Sequence, residues 1–130
     1  MGEEIDIVID VRSIIPLSEQ IRAQIADLIR AGRLPDGARL PTVRDLASDL
    51  GVAVNTVNKS YAELDRDGLI VSKRRAGTRV TRPTQMQSDS SGTRRAASLL
   101  VETARREQLD EETVIALVRE ALRSSVALTG

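Results

Sequence analysis

The side chains able to recognise another molecule are gathered in one part of the chain. Arg44 stands in Leu40-Pro-Thr-Val-Arg44, and Asn55, Thr56, Asn58 and Lys59 come shortly after it. Asn can bond adenine through two contacts, Thr can meet a base or a thymine methyl, and Arg or Lys can reach guanine or phosphate. Further on, Arg74-Arg75-Ala76-Gly77-Thr78 makes a basic turn. Bond-making chemistry has no comparable support. The chain holds no Cys and no His, which excludes thiolate and imidazole metal sites, Cys nucleophiles and His general bases. No paired carboxylates or Gly-rich phosphate loop stand in a helix-strand context. The expectation is a protein that is not an enzyme and carries no metal or cofactor.

Two short helices must position these residues. The first is predicted over Val43 to Leu50, with Thr42 as N-cap, Asp45 three residues on, and Gly51 as the stop. The second is predicted over Val54 to Asp67, stopped by Gly68. Leu46, Ala47, Leu50, Val57, Tyr61 and Leu64 supply one apolar face across the pair. The polar residues that open the second helix stay outside it. In a helix-turn-helix these residues enter the major groove. Taken alone, the stretch also fits a solvated face in an ordinary helical bundle.

The residues beyond Gly68 favour the helix-turn-helix. Ile70 to Lys73 and Thr78 to Thr81 are short and β-prone, and the basic turn lies between them. A helix-turn-helix succeeded by a basic hairpin is the layout of a winged helix. Its wing tip would sit on phosphate or in the minor groove, with Gly77 allowing close backbone approach.

Composition agrees with a mainly helical class. The chain has 130 residues, 41% hydrophobic, with one Tyr and no Phe or Trp. The core must be Leu, Ile, Val and Ala, and stacking platforms for single-stranded nucleic acid are disfavoured. Net charge is zero, but it is unevenly spread. Residues 39–82 carry 9 basic and 5 acidic groups, net +4, against net −3 before and net −1 after. Local charge, rather than the total, attracts phosphate. No apolar run is long enough for a bilayer and no signal peptide opens the chain, so a soluble cytoplasmic protein without membrane contact is the default.

Ahead of the pair, Ile5 to Val11 alternates and is β-branched. It reads as a strand pairing with the wing or as an ordered arm. Pro16 opens a helix at its first turn. Ile21, Ile25, Leu28 and Ile29 share one face of it, and Gly32 closes it. Pro35-Asp36-Gly37 is a turn.

The stretch Ile21 to Val80 resembles the DNA-binding domain of GntR-family bacterial transcription regulators. The similarity rests on Gly32-Arg33-Leu34-Pro35-Asp36-Gly37, Arg39-Leu40-Pro41-Thr42-Val43-Arg44-Asp45-Leu46-Ala47, Asn55-Thr56-Val57, Tyr61, Gly68-Leu69-Ile70 and Gly77-Thr78. Leu-Pro-x-Val-Arg, Asn-Thr-Val and the Tyr resemble the small YtrA-like branch. The resemblance implies DNA contact by Arg44, Asn55 and Thr56, with Asn58 and Lys59 on the same side. It also brings in Arg39 and Thr42 before the first helix, and Arg75, Gly77 and Thr78 on the wing. Ala53 departs from the usual capping residue, which leaves that helix start frayed or capped by Asn55. The alternative for Arg44 is a surface pair with Asp45 or Asp49, and Thr78 could be an ordinary strand residue.

The remaining chain divides in two. Residues 83–92 are polar and aperiodic and read as a linker after a domain spanning 1–82. Residues 93–130 hold two helices. The first runs from about Thr93 to Glu107, with Ala96, Leu99, Leu100 and Ala104 along one side. The second is capped by Asp110, with Val114, Leu117, Val118, Ala121 and Leu122 at helical spacing. Two such helices cannot bury their faces alone. They must pack on the DNA-binding domain or on a second copy; the polar linker favours the second copy, and the YtrA-like branch similarly uses a helical pair for dimerisation. The tail is too short to enclose a ligand cavity, although an effector at a dimer interface or between domains stays open.

The expected fold is therefore mainly α with a small β-hairpin wing: a winged helix-turn-helix domain plus a two-helix C-terminal dimerisation segment. The expected function is a sequence-specific transcriptional regulator, a repressor, binding an inverted repeat of double-stranded DNA as a homodimer. The alternative is a winged-helix adaptor that binds protein and not specific DNA.

Overall fold

Three isoleucines one helical turn apart build the first element. In the computed structural model, which describes residues 5–73, 77–81 and 91–129 (the side chains of 126–129 excepted), α1 spans Leu17–Arg30. Ile21, Ile25 and Ile29 are wholly buried, each contributing about 1.5–3 kcal/mol of burial. Pro16 is the residue before the helix and not its first turn, at φ −55° and ψ 146°. Its ring fixes φ but leaves ψ free to remain extended. At the other end Arg33 N–H donates to the Leu28 carbonyl at 2.9 Å and Gly32 N–H to Ile29 at 3.1 Å. This closure needs the left-handed backbone that Gly32 adopts.

The α2 helix is Val43–Leu50 and α3 is Val54–Arg66. Thr42 Oγ1 accepts the Asp45 N–H at 3.1 Å and caps α2. Leu46, Ala47, Val57, Tyr61 and Leu64 are buried together with the isoleucines of α1; Leu50 is only half-buried. Between α1 and α3, Arg22 bonds Glu19 and reaches Glu63 at 3.8 Å. That bond from Arg22 holds the Glu19 carboxyl below its ordinary value. The contribution is therefore present above the usual carboxylate range and fades as pH falls through the lowered value.

Strands β1 (Ile70–Lys73) and β2 (Gly77–Val80) pair antiparallel, with Ile70 opposite Val80 and Lys73 opposite Gly77. The second strand thus starts one residue earlier than Thr78, because Gly77 already pairs. A third stretch lies along the free edge of β2. Leu40 N–H donates to the Thr78 carbonyl at 2.9 Å, and the Val80 and Gly37 N–H groups donate to the Ala38 and Val80 carbonyls at 2.8 Å each. The residues between the strands, including Arg75, lie outside the described residues. Together α1, α2, α3 and the hairpin make a winged helix-turn-helix.

Ile5 to Val11 is an ordered arm, not a strand of the wing. Its partners are two side chains of α1. Gln24 Oε1 accepts the Val8 N–H at 2.9 Å while its Nε2 donates to the Val8 carbonyl at 2.7 Å. Gln20 treats Asp10 the same way, at 2.8 and 3.0 Å, and also donates to the Ile15 carbonyl. One helical turn on α1 matches two residues of extended chain, so side-chain amides replace a neighbouring strand. Ile5, Ile7 and Ile9 pack on the core by the same alternation.

The chain divides into a unit ending at Ser88 and a second from Asp89. In the second, α4 spans Ser91–Arg106 and α5 spans Glu111–Thr129. The α4 helix begins before the expected Thr93 and takes in Ser91 and Gly92 from the stretch read as linker. A first helical turn needs no apolar residue, so periodicity does not mark it. Its end is closed by Gln108 in the left-handed region, φ 60°, and Asp110 Oδ1 accepts the Thr113 N–H at 2.9 Å to cap α5. Ala104 is buried, but Leu99, Leu117, Val118 and Leu122 are exposed.

Replacing Gln24 with Ala should free the arm and lower stability by about 1–2 kcal/mol. Amide exchange at Val8 should accelerate while α3 stays protected; unchanged exchange would show that the arm is held some other way.

Candidate nucleic-acid interface

The opening of α3 is set by which of its faces the core takes. Val57, Ser60, Tyr61 and Leu64 point inward, so Asn55, Asn58 and Lys59 are exposed and Thr56 is half-buried. Among the described residues the side chains of Asn55, Asn58 and Lys59 have no hydrogen-bond partner. Asn55 does not cap its helix: Ala53 holds the N-cap position without a side-chain bond, and only backbone closes the turn, from Thr56 N–H to the Ala53 carbonyl at 3.0 Å. The first N–H groups of α3 thus remain available to an acceptor outside the helix.

Arg44 sits in the first turn of α2, exposed, and pairs with neither Asp45 nor Asp49. Its guanidinium is free among the described residues. Thr42 is also exposed, but its hydroxyl is committed to the α2 cap.

The wing departs further from expectation. Gly77 has φ +75°, and a β-carbon there would lie 3.3 Å from Arg39 Nε and 3.4 Å from Nη2. The absent side chain therefore admits the guanidinium of Arg39, which lies against the wing backbone. Thr78 faces Ser72 across the hairpin, hydroxyl to hydroxyl at 3.1 Å, as a strand residue would. Arg79, which the sequence motifs did not single out, is exposed and bridges to Arg39. Its Nη1 donates to the Gly37 carbonyl at 3.1 Å. Strand alternation from Gly77 could have placed it on the face with Lys73 and Val71. These residues, with Asp36, Gly37, Val80 and Thr81, line a shallow groove of about 400 Å³.

A second groove, about 390 Å³, joins the starts of α1 and α3 and is lined by Pro16, Leu17, Ser18, Asn55, Thr56 and Lys59. The beginning of α1 is thus part of the same surface. Its apolar pattern gave no signal of that, because the contact is with another helix. Among the described residues no group of three His, Cys, Asp or Glu side chains could hold a metal ion, and no helix is long and apolar enough to cross a membrane.

The surface unites exposed amides, free cations and helix N–H groups, which suits phosphate and base edges. Comparisons with known proteins give the family. Residues 17–80 match the family described as bacterial regulatory proteins, gntR family. The HTH-type transcriptional regulator Rv1152 of Mycobacterium tuberculosis is 50% identical over 74 residues, which is 57% of this chain and 61% of that protein. The chain thus spans about three fifths of that relative. A crystal structure described as a transcriptional antiterminator from Listeria monocytogenes is similar over 92% of this chain and 91% of its own, with 28% identity and a TM-score of 0.64. YtrA from Sulfolobus acidocaldarius, described as a GntR-family transcription factor, is 35% identical, covering 75% of this chain and 97% of its own, with a TM-score of 0.54. The chain belongs to the gntR family of bacterial regulatory proteins, in its YtrA-like branch.

Proposed function

We propose that the chain is a sequence-specific DNA-binding transcriptional regulator, acting as a repressor by occupying an operator. The observation that carries this is the set of unpartnered side chains, Arg44, Asn55, Asn58 and Lys59, placed on one side of the helix pair beside a wing bearing Arg39 and Arg79. The roles named for the relatives, regulator and transcription factor, point the same way.

In this reading α3 enters the major groove, Arg44 reaches it from α2, and the wing lies along the flanking backbone. Asn55 and Thr56 read bases; Lys59, Arg39 and Arg79 neutralise phosphate. Residues 1–82 form the DNA-binding domain and 83–92 its linker. Residues 93–130 form the dimerisation segment. The exposed Leu117, Val118 and Leu122 on α5, continuous with Val114 and Ala121, and Leu99 and Leu100 on α4, are its contact residues. A second copy covering them gives a two-fold dimer, which matches an inverted repeat.

Selection of bound sites from a random duplex pool at stated salt tests the whole reading. An enriched inverted repeat with a constant gap is expected; binding without enrichment would leave only charge-driven contact. Arg44→Ala should weaken operator binding by about 1–3 kcal/mol without lowering the melting temperature, and unchanged affinity would reject the docking. Leu117→Glu with Leu122→Glu should give a monomer in sedimentation with much weaker operator binding; a persistent dimer would reject the role of α5.

A further inference from the structure

Apolar packing holds α2 and α3 together, and its driving force is non-directional. A directional contact does exist between them, and it comes from the one aromatic residue. Tyr61 is 5% exposed, and its hydroxyl donates to the Pro41 carbonyl at 2.8 Å. That carbonyl lies just outside the α2 ladder, which starts at Thr42, whose own carbonyl takes the Leu46 N–H at 2.9 Å. Among the described residues Tyr61 is its only partner. From Pro41 the chain passes to Thr42, whose hydroxyl fixes the first turn of α2 by its cap, and that turn carries Arg44. At the other end, Tyr61 and the readers Asn55 and Thr56 belong to one rigid helix.

We propose that Tyr61 is a positioning residue for DNA recognition, whose hydroxyl sets Arg44 at a fixed place relative to Asn55 and Thr56. This deepens the DNA-binding reading and rests on it. A ring alone would fill the core as well; the hydroxyl is what orients the loop. Burial pushes the phenol well above its ordinary value, so the donor stays protonated at neutral pH. The neighbouring Ser60 supplies a comparison. It is also buried, but its hydroxyl is shared between the Ser18 carbonyl of α1 at 2.7 Å and the Thr56 carbonyl of its own helix at 3.1 Å, with no bond to the loop that leads to Arg44.

The test is a double-mutant cycle on the full-length protein with its selected operator, at fixed salt and with the folded fraction checked. Tyr61→Phe should weaken operator binding about three- to tenfold and leave binding to an unrelated duplex unchanged. In an Arg44→Ala background it should cost almost nothing more. Ser60→Ala should be additive with Arg44→Ala. Wild-type affinity for Tyr61→Phe, an equal loss in both backgrounds, or equal coupling from Ser60→Ala would each overturn the proposal. Thr42→Ala, which releases the same turn without touching the core, should couple to Arg44→Ala in the same way. Additivity there overturns the proposal even if Tyr61→Phe fails to fold. An Arg44→Ala protein of unchanged affinity would reject the docking itself, and the positioning role with it.

Discussion

The contact between α1 and α3 is the constraint on which the rest of this fold depends. The two helices meet through Ile21, Ile25, Ile29, Val57 and Leu64, all fully buried, and every other element of the winged domain leans on that seam. With a single Tyr and no Phe or Trp, the core has little shape of its own. Aliphatic side chains exclude water well, but their driving force is non-directional. Directional contacts accompany the packing: buried Ser60 bonds α1, Tyr61 bonds the loop before α2, and Thr42 caps α2.

The same economy shapes the surface. The side of α3 that reads outward is defined by what the core leaves over. Asn55, Asn58 and Lys59 fall next to buried positions and cannot turn inward without displacing Val57 or Tyr61. Nothing in the first turn of α3 competes for them, since it has no acidic residue. Exposed to water, these groups stay hydrated without a partner in the protein.

Much of this was legible in the sequence because the signals are local. The limits of α2 and the cap at Asp110 depend on one residue type at one position, Thr42, Gly51 and Asp110, and need no knowledge of neighbours; α3 ends at Arg66, one residue short of the expected Asp67, which is its C-cap. The hairpin was out by one residue because pairing, not propensity, decides where a strand starts. The arm was harder. Its alternation is strand-like, but the partner is a pair of glutamines on a helix, and nothing marks Gln20 and Gln24 as different from any solvated amide. Arg79 and the groove at the start of α1 were missed for the same reason. Their roles depend on residues distant in sequence. In the candidate site, the exposure of Arg44, Asn55, Asn58 and Lys59 was legible from helical spacing, whereas Thr42 and Thr78 have hydroxyls already engaged within the chain.

Gly77 bears on how such a protein can change. A β-carbon at position 77 would press on the guanidinium at position 39, a flexible group that needs to give only a few tenths of an ångström. The left-handed backbone at 77 is the larger obstacle, because it strains any side chain whatever stands at 39. A lineage can therefore shorten Arg39 without consequence for Gly77, whereas a substitution at 77 meets the backbone strain first and the cation second.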